Sequence, residues 1–294
     1  MLNAIKEQAK PLLMKFTPTR NYILSKQFSV ELDLIRGVHE NKNQHPSVLH
    51  FSVNKSATQY VKSVLRKCSS ANGLVNVGIN EYAFKSDFPY LDKLSAHEMQ
   101  QYHHLFKPKG YTYSVFGGMI DGIPNLDKYL VILMVRDPRD VLVSGYYSVA
   151  YSHPAPAYGT DKYHAFIKDR KFSQEATVDE YAIAQCNHIY ETFERHRNLL
   201  LGRSSNVHII KYEDMVSDFE GWLRSLINYC DFQVSAQLFE ELLQEHERLR
   251  PSKENVEKHI RKGKPGDYRE KLTPETVDFI EQKLLPFLQE FHYV

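Results

Sequence analysis

The stretch "HFSVNKSATQYVKSVL", residues 50–65, begins as a short apolar strand and ends with helical spacing, with a single cation, Lys55, at the joint. In an open parallel sheet, ligands gather beyond the carboxyl ends of the strands, and the first helix there presents unpaired backbone N–H groups and its positive dipole end. Asn54 to Gln59 occupy that place. Ser56 and Thr58 add hydroxyls and Lys55 adds a mobile point charge, a set suited to a phosphate or sulfate ester. The pattern GxxxxGK[ST] cannot be laid over the loop, which weighs against an ATP- or GTP-hydrolysing chain. Taken alone, the same residues also describe a solvated lysine in an N-cap turn.

Strand-like runs at Ser47–Val53, around Leu74–Gly78, at Tyr129–Val135 and at Val207–Lys211 alternate with segments of helical periodicity. That alternation predicts an α/β fold in which a central parallel β-sheet is flanked by helices. No repeat, low-complexity tract or Gly/Ser linker divides the chain, so residues 1–294 are expected to form a single domain, with 1–40 as an N-terminal helical or extended segment. Thr177 and Glu180 have capping-box spacing, and the helix they open runs through Tyr181, Ile183, Ala184, His188 and Phe193. Thr273-Pro274-Glu275 opens a last helix that Pro286 is expected to kink. Residues 151–175 and 250–268 are polar, rich in Pro, Gly and charge, and too long for connectors. Such segments are often lids or binding loops.

The 37 basic and 36 acidic side chains nearly cancel, which argues against a surface dedicated to nucleic acid or anionic lipid. An anion site must therefore be local. Three scattered cysteines, Cys68, Cys186 and Cys230, form neither a CxxC motif nor a disulfide framework, and no ligand cluster with metal spacing is visible. With no long apolar run and no signal-peptide pattern, a soluble cytoplasmic protein without a transmembrane segment is expected. Residues 1–16 place Leu2, Ile5, Leu12, Leu13 and Phe16 among lysines. They could touch a membrane surface, but packing on the chain's own domain is preferred, because Pro11 interrupts a short stripe.

"LVILMVRDPRDVLVSGYYSVA", residues 130–150, repeats the plan of the opening stretch: apolar strand, charged turn, helix. Pro138 fits the first helical turn and Asp137 can cap it. Arg136 then ends a buried strand and points a rigid five-donor fork into the same crevice, unless it is taken up by Asp140 or Glu213. In "HIRKGKPGDYREKLTPE", residues 259–275, Arg261, Lys262 and Lys264 surround Gly263, whose freedom at positive φ allows an anion-binding nest. A basic run of this kind can also be no more than a solvated face.

These three stretches, in this order, resemble the sulfotransferases that use 3′-phosphoadenosine 5′-phosphosulfate (PAPS) as donor and release 3′-phosphoadenosine 5′-phosphate (PAP). The resemblance spans about residues 47–290 and implies a P-loop-like sulfotransferase fold. It implies that Lys55, Ser56, Ala57, Thr58, Gln59 and Tyr60, which stand where the family has PKSGTT and Trp, hold the 5′-phosphosulfate, with Lys55 stabilising the leaving phosphate. Arg136 and Ser144 keep the family's separation for the 3′-phosphate, Tyr212 of Lys211-Tyr212-Glu213-Asp214 matches a Tyr near adenine, and Arg261, Lys262 and Gly263 match the segment that closes over the nucleotide. No metal is implied. Ala57 stands where the family has Gly, so the loop either avoids positive φ there or is reshaped. Tyr60 replaces Trp and would stack less extensively on adenine. Pro274 interrupts a dimerisation motif of cytosolic members, so oligomeric state stays open.

An acceptor must lose a proton. The His that many cytosolic members use is missing, since counting back from Arg136 reaches the region of Ser114. Carbohydrate-modifying members use a Glu in an NExxFF-like segment, which Asn80-Glu81-Tyr82-Ala83-Phe84 resembles. Glu81 is therefore the first candidate base, with a pKa expected to be raised by an apolar pocket. His103, His104 and His188 are reserves. Residues 81–127 and 151–180 are left for the acceptor, and Tyr82, Phe84, Tyr113, Phe116 and Tyr151 suit the walls of a site for a flat or cyclic small molecule. The expected activity is sulfuryl transfer from PAPS to a hydroxyl, or less readily an amine, of a small-molecule natural product. A carbohydrate or glycolipid O-sulfotransferase is an alternative, as are a non-catalytic PAPS-binding module and a nucleotide-dependent kinase.

Overall fold

The computed structural model describes residues 17–204, 206–249 and 263–294. Five strands, β1 (Val48–Ser52), β2 (Val75–Val77), β3 (Tyr111–Phe116), β4 (Leu130–Val135) and β5 (Val207–Lys211), form one sheet in the order β2-β3-β1-β4-β5. All four pairings are parallel. The α/β class and parallel sheet expected from the sequence are present.

Helices α1 (Thr17–Gln27) and α2 (Ser29–Ile35) precede the sheet, and α3 (Thr58–Ala71), α4 (Ile79–Lys85) and α5 (Ala96–Met99), with a 3-10 turn at Gln100–Leu105, lie between β1 and β3. After β4 come α6 (Pro138–Tyr147), α7 (Asp161–Glu175) and α8 (Val178–His196). After β5 follow α9 (Tyr212–Ser217), α10 (Phe219–Tyr229), α11 (Ala236–Leu249), α12 (Tyr268–Lys271) and α13 (Pro274–Glu290).

The central strands are buried on both faces, and their alternate residues feed two cores. Leu49, Phe51, Val131, Leu133 and Val135 pack with residues of α6, α8 and α13. Val48, Ile132, Met134 and Ile210 face the other way, into residues of α3, α10 and α11. Each such fully buried side chain contributes about 1.5–3 kcal/mol. The sheet is thus a rigid base for whatever leaves its carboxyl edge.

Local chemistry sets the helix starts. Thr177 caps α8 with a full capping box to Glu180, and Thr273 caps α13, which continues through Pro286 to Glu290. The buried stripe of α8 is Tyr181, Ala182, Cys186, Ile189 and Phe193, while Ile183, Ala184 and His188 face solvent. Two expectations need correction. Tyr111–Phe116 is the strand β3, between β2 and β1. The larger part of the unassigned stretch 151–175, Asp161–Glu175, is α7, started by Thr160.

Candidate functional site

Register brings the candidate residues together. Ser52 of β1 pairs with Met134 of β4, Phe51 with Phe116 of β3, and Val135 with Lys211 of β5. The chain therefore leaves these strands at one level, with Asn54-Lys55, Gly117, Arg136 and Tyr212 side by side. A Cβ on Gly117 would come within 2.8 Å of Asn54 Oδ1, so the β3 exit and the Lys55 loop touch.

The loop after β1 holds two residues in left-handed conformations, Lys55 (φ +70°) and Ala57 (φ +56°). The loop thus keeps a positive φ at Ala57 without a glycine, a conformation that costs an L-residue about 1–2 kcal/mol. Ala57 is the N-cap of α3 and offers no side-chain cap, so the amide donors of the first turn stay available. Ser56 is fully buried, and its Oγ has no partner among the described residues. Thr58 Oγ1 and Ser52 Oγ share a hydrogen bond of 3.0 Å, and Gln59 is exposed.

Arg136 is buried and ties three elements together. Its Nη1 donates to the Lys55 carbonyl (2.8 Å), its Nη2 reaches Asp140 (3.4 Å), and its guanidinium lies 4.2 Å from the Tyr212 ring centroid. Its Nε is buried without a partner among the described residues. The expected alternative, a pairing with Asp140, is thus partly realised at a long distance. Glu213 instead accepts from the Asp137 N–H (3.1 Å) and the Tyr293 hydroxyl (3.1 Å). Burial raises the Glu213 pKa.

Asp140, fully buried in the first turn of α6, is the hub that sequence reasoning treated only as a rival partner for Arg136. Its Oδ2 accepts from the Gly266 N–H (2.7 Å) and its Oδ1 from the Tyr268 N–H (3.0 Å). The C-terminal segment is thereby fastened beside Arg136. Gly263 adopts φ +65°, the freedom that its placement predicted. Arg261 and Lys262 lie outside the described residues, as does the segment 1–16. Asp137 caps α6 through the Arg139 N–H (2.9 Å), and the buried Arg139 guanidinium joins Asp137, Glu281 and the Tyr293 carbonyl. Ser144 follows on α6, half-buried.

Lys55 and Arg136 put two cations in one place. Among the described residues no carboxylate pairs with Lys55 Nζ. Burial, and then the like charge of Arg136, pull the Lys55 pKa down to about 8. An anion entering here would relieve that repulsion and occupy the donors on Ser56, Arg136 and the first turn of α3.

Several expected roles meet a different geometry. Glu81 is clamped by Lys62 (2.5 Å) and Lys85 (2.6 Å). Burial works to raise its pKa, but the two ammonium groups outweigh it and hold the carboxyl down at about 2. The raised pKa expected for a base is not found. Tyr113 and Phe116 are 1% exposed and belong to the core, where the Tyr113 hydroxyl donates to the Leu105 carbonyl (2.7 Å). They cannot wall an open acceptor site. Tyr60 sits against Phe219 (5.8 Å) and His246 (5.6 Å), so its ring is used in packing α3 on α10 and α11. His104 Nε2 donates to the Ile35 carbonyl (3.0 Å), and His103 shares its turn, which packs on α2.

Of the other acceptor candidates, Tyr82 lies between Phe28 and Phe88, and the exposed Tyr151 lies against Tyr146 and Tyr147. Phe84 meets a histidine that the sequence did not single out, His153, at 6.0 Å between ring centroids. The polar segment around His153 is stitched to α4. Ala157 N–H donates to the Phe84 carbonyl (3.0 Å), Lys162 Nζ donates to the Ala83 and Phe88 carbonyls (2.6 Å each), and Arg20 donates to the Tyr158 carbonyl (3.3 Å). No group of three or more His, Cys, Asp or Glu side chains with metal-binding proximity occurs among the described residues. No helix among them is long and apolar enough to cross a membrane.

Residues 123–290 match the family model described as a sulfotransferase domain. The match takes in Arg136, Ser144, Tyr212 and Gly263 and leaves the Lys55 loop outside. Among solved structures, the chain is similar to mouse sulfotransferase SULT7A1 complexed with PAP, at 16% identity over 86% of this chain and 89% of that one, with a TM-score of 0.48. It is also similar to retinol dehydratase in complex with androsterone and inactive cofactor PAP, at 17% identity over 83% and 81% of the two chains, with a TM-score of 0.48. A third is sulfotransferase STF9 from Mycobacterium avium, at 8% identity over 91% and 81%, again with a TM-score of 0.48. No curated protein matches the chain.

Proposed function

Because the chain belongs to the sulfotransferase family, we propose that it moves the sulfuryl group of PAPS to a hydroxyl of a small-molecule natural product. The observation that carries this is the pair of cations at adjoining strand ends, the buried Arg136 holding the carbonyl of the half-buried Lys55 at 2.8 Å. They sit beside the buried Ser56 Oγ, which has no partner among the described residues, and the uncapped start of α3. Donors so arranged fit a polyanion rather than a neutral ligand. When bound, PAPS supplies a sulfuryl group already joined to a phosphate able to leave.

Lys55 is the residue for the negative charge that grows on that departing oxygen, a task worth about 3 kcal/mol, or roughly a hundredfold in rate. Arg136 fixes the loop that carries Lys55 and offers a free Nε–H to an anion. Ser144 on α6 and Tyr212 at the head of α9 complete the nucleotide side, Tyr212 with its ring under Arg136. Phe84 and Tyr151 border the acceptor side. A carbohydrate acceptor drew its support from Glu81 as base, and the clamp of Lys62 and Lys85 removes that support.

The test is calorimetric binding of PAP without Mg²⁺ to the wild type and to Arg136→Ala. Micromolar binding that weakens by about 2 kcal/mol or more in the variant is expected. Binding of ATP with Mg²⁺ and none of PAP would overturn the proposal in favour of a kinase. PAP binding without turnover of any acceptor would leave a binding module.

A further inference from the structure

The segment after α13 turns back on its own helix. His292 adopts a left-handed conformation (φ +55°), its N–H donates to the Gln289 carbonyl (3.1 Å), and the Tyr293 N–H donates to the Leu288 carbonyl (2.7 Å). This is a Schellman closure, which ends a helix and reverses the chain. Three residues then hold the reversed segment at the exits of β4 and β5. The Lys211 ammonium, at the end of β5, donates to the Phe291 carbonyl (2.5 Å) and lies 5.1 Å from the Tyr293 ring centroid. The buried Arg139 of α6 donates to the Tyr293 carbonyl (3.1 Å), and Glu213 Oε2 accepts from the Tyr293 hydroxyl (3.1 Å).

These bonds close a ring. Glu213 Oε1 accepts from the Asp137 N–H (3.1 Å), Asp137 Oδ2 accepts from Arg139 Nη2 (2.7 Å), and the same Nη2 returns to Tyr293. Two members of the ring, Asp137 and Glu213, directly follow Arg136 and Tyr212 in the chain. Those two form the stack in which the guanidinium lies 4.2 Å from the tyrosine ring centroid. The ring thus ties the β4 exit to the β5 exit beyond their last paired residues, Val135 and Lys211, and fixes the backbone on both sides of the stack. Burial, then the Glu213 carboxylate, push the Tyr293 pKa up, so the phenol stays the donor of this pair. Packing at the end of α13 does not require that hydroxyl, because Phe287, Leu288 and Phe291 already bury it.

We propose that Tyr293 is a positioning residue of the nucleotide site: through Glu213 it sets the Arg136–Tyr212 stack, and thereby the affinity for PAPS and PAP. This rests on the sulfotransferase activity proposed above. Tyr293 acts through its neighbours and takes no part in the transfer itself.

Tyr293→Phe removes the hydroxyl alone and leaves the ring near Lys211 and the carbonyl on Arg139. In the ligand-free protein, the Arg136 Nε–H is followed by nitrogen-edited NMR, its signal identified by its loss in Arg136→Lys. A ring-current shift from Tyr212 is expected in the wild type, and Tyr293→Phe is expected to reduce it and to speed exchange of that proton with solvent. Calorimetry then compares PAP binding. Tyr293→Phe is expected to weaken it about three- to tenfold in the wild-type background and less than about twofold in Arg136→Lys, where the fork that the ring steadies is already gone. An Arg136 signal indifferent to Tyr293→Phe, or losses that simply add in the two backgrounds, would assign Tyr293 to packing and overturn the role. No PAP binding by the wild type, with the NMR response intact, would instead overturn the donor reading while upholding the hold of Tyr293 on Arg136.

Discussion

Arg136 Nη1 donates to the Lys55 carbonyl oxygen at 2.8 Å, so the residue at the end of β4 sets the backbone that carries the cation after β1. Charge alone does not reproduce this. Arg136→Lys keeps the positive charge but loses the fork that spans Lys55, Asp140 and the face of Tyr212. PAP affinity in the lysine variant is expected to fall about tenfold, closer to Arg136→Ala than to wild type, when measured by calorimetry.

The lowered pKa of Lys55 gives a pH test. With its pKa pulled down to about 8 by burial and Arg136, the free protein loses the ammonium as pH rises through that value. PAP affinity should hold near pH 7 and weaken above about pH 8, and in Lys55→Met that slope should vanish. Stability runs the other way. The unfolded chain keeps its proton up to the ordinary lysine value, so between these two pKa values it binds more protons than the folded one. The contribution of Lys55 to stability therefore rises with pH across that window, and urea denaturation of both proteins should show the rise only in the wild type.

The left-handed Ala57 gives a test by shape. Ala57→Gly relieves a strained φ but loosens the unfolded chain, and a net gain of roughly 0.5–1 kcal/mol is expected. Ala57→Val should lose more than about 1 kcal/mol, because a β-branched side chain resists φ +56° further. Thermal denaturation of the pair reads both signs. Equal stability of the two would show that the turn tolerates any Cβ.

The Glu81 clamp predicts a pH signature. Its folded pKa of about 2 lies below the ordinary carboxylate value, so its stabilisation is present above that ordinary value and is lost as pH falls toward 2. The pair is more than a third solvent-exposed at Glu81, which limits its worth. Glu81→Gln should destabilise by about 1 kcal/mol at neutral pH, with the gap from wild type closing in acid. A gap independent of pH would assign the effect to packing.

Asp140→Asn replaces one acceptor oxygen by a donor that must face the Gly266 or Tyr268 N–H. A loss of about 2 kcal/mol in stability is expected, together with faster release of PAP in stopped flow. Unchanged release would separate the C-terminal segment from nucleotide retention.

The sequence displayed the site where a local pattern implied a local geometry. Lys55 and Arg136 each end an apolar run before a helical one, and parallel register then places them together. Asp137-Pro138 announced the cap of α6 in the same way. Other parts depended on distant partners. Asp140 was visible four residues after Arg136, but the two amides it holds come from 126 and 128 residues further along. Glu81 had the right neighbours in sequence for a base, and Lys62, one helix away, reversed its electrostatics. Tyr111–Phe116 carried aromatic and β-branched residues that favour a strand, yet aromatic side chains suit a ligand wall equally well.

The stitches between the His153 segment and α4 have an evolutionary consequence. Lys162 binds the Ala83 and Phe88 carbonyls, Ala157 binds the Phe84 carbonyl, and Arg20 reaches across to Tyr158. The segment around His153 and its supports therefore form a composite drawn from three separate stretches of chain. If these residues bind the acceptor as proposed, exchanging residues 151–160 alone is not expected to transplant a new preference, because their seat would stay behind. On the acceptor side proposed above, the unit of specificity is the assembly of that segment, Lys162 and the end of α4, and these parts must change in step.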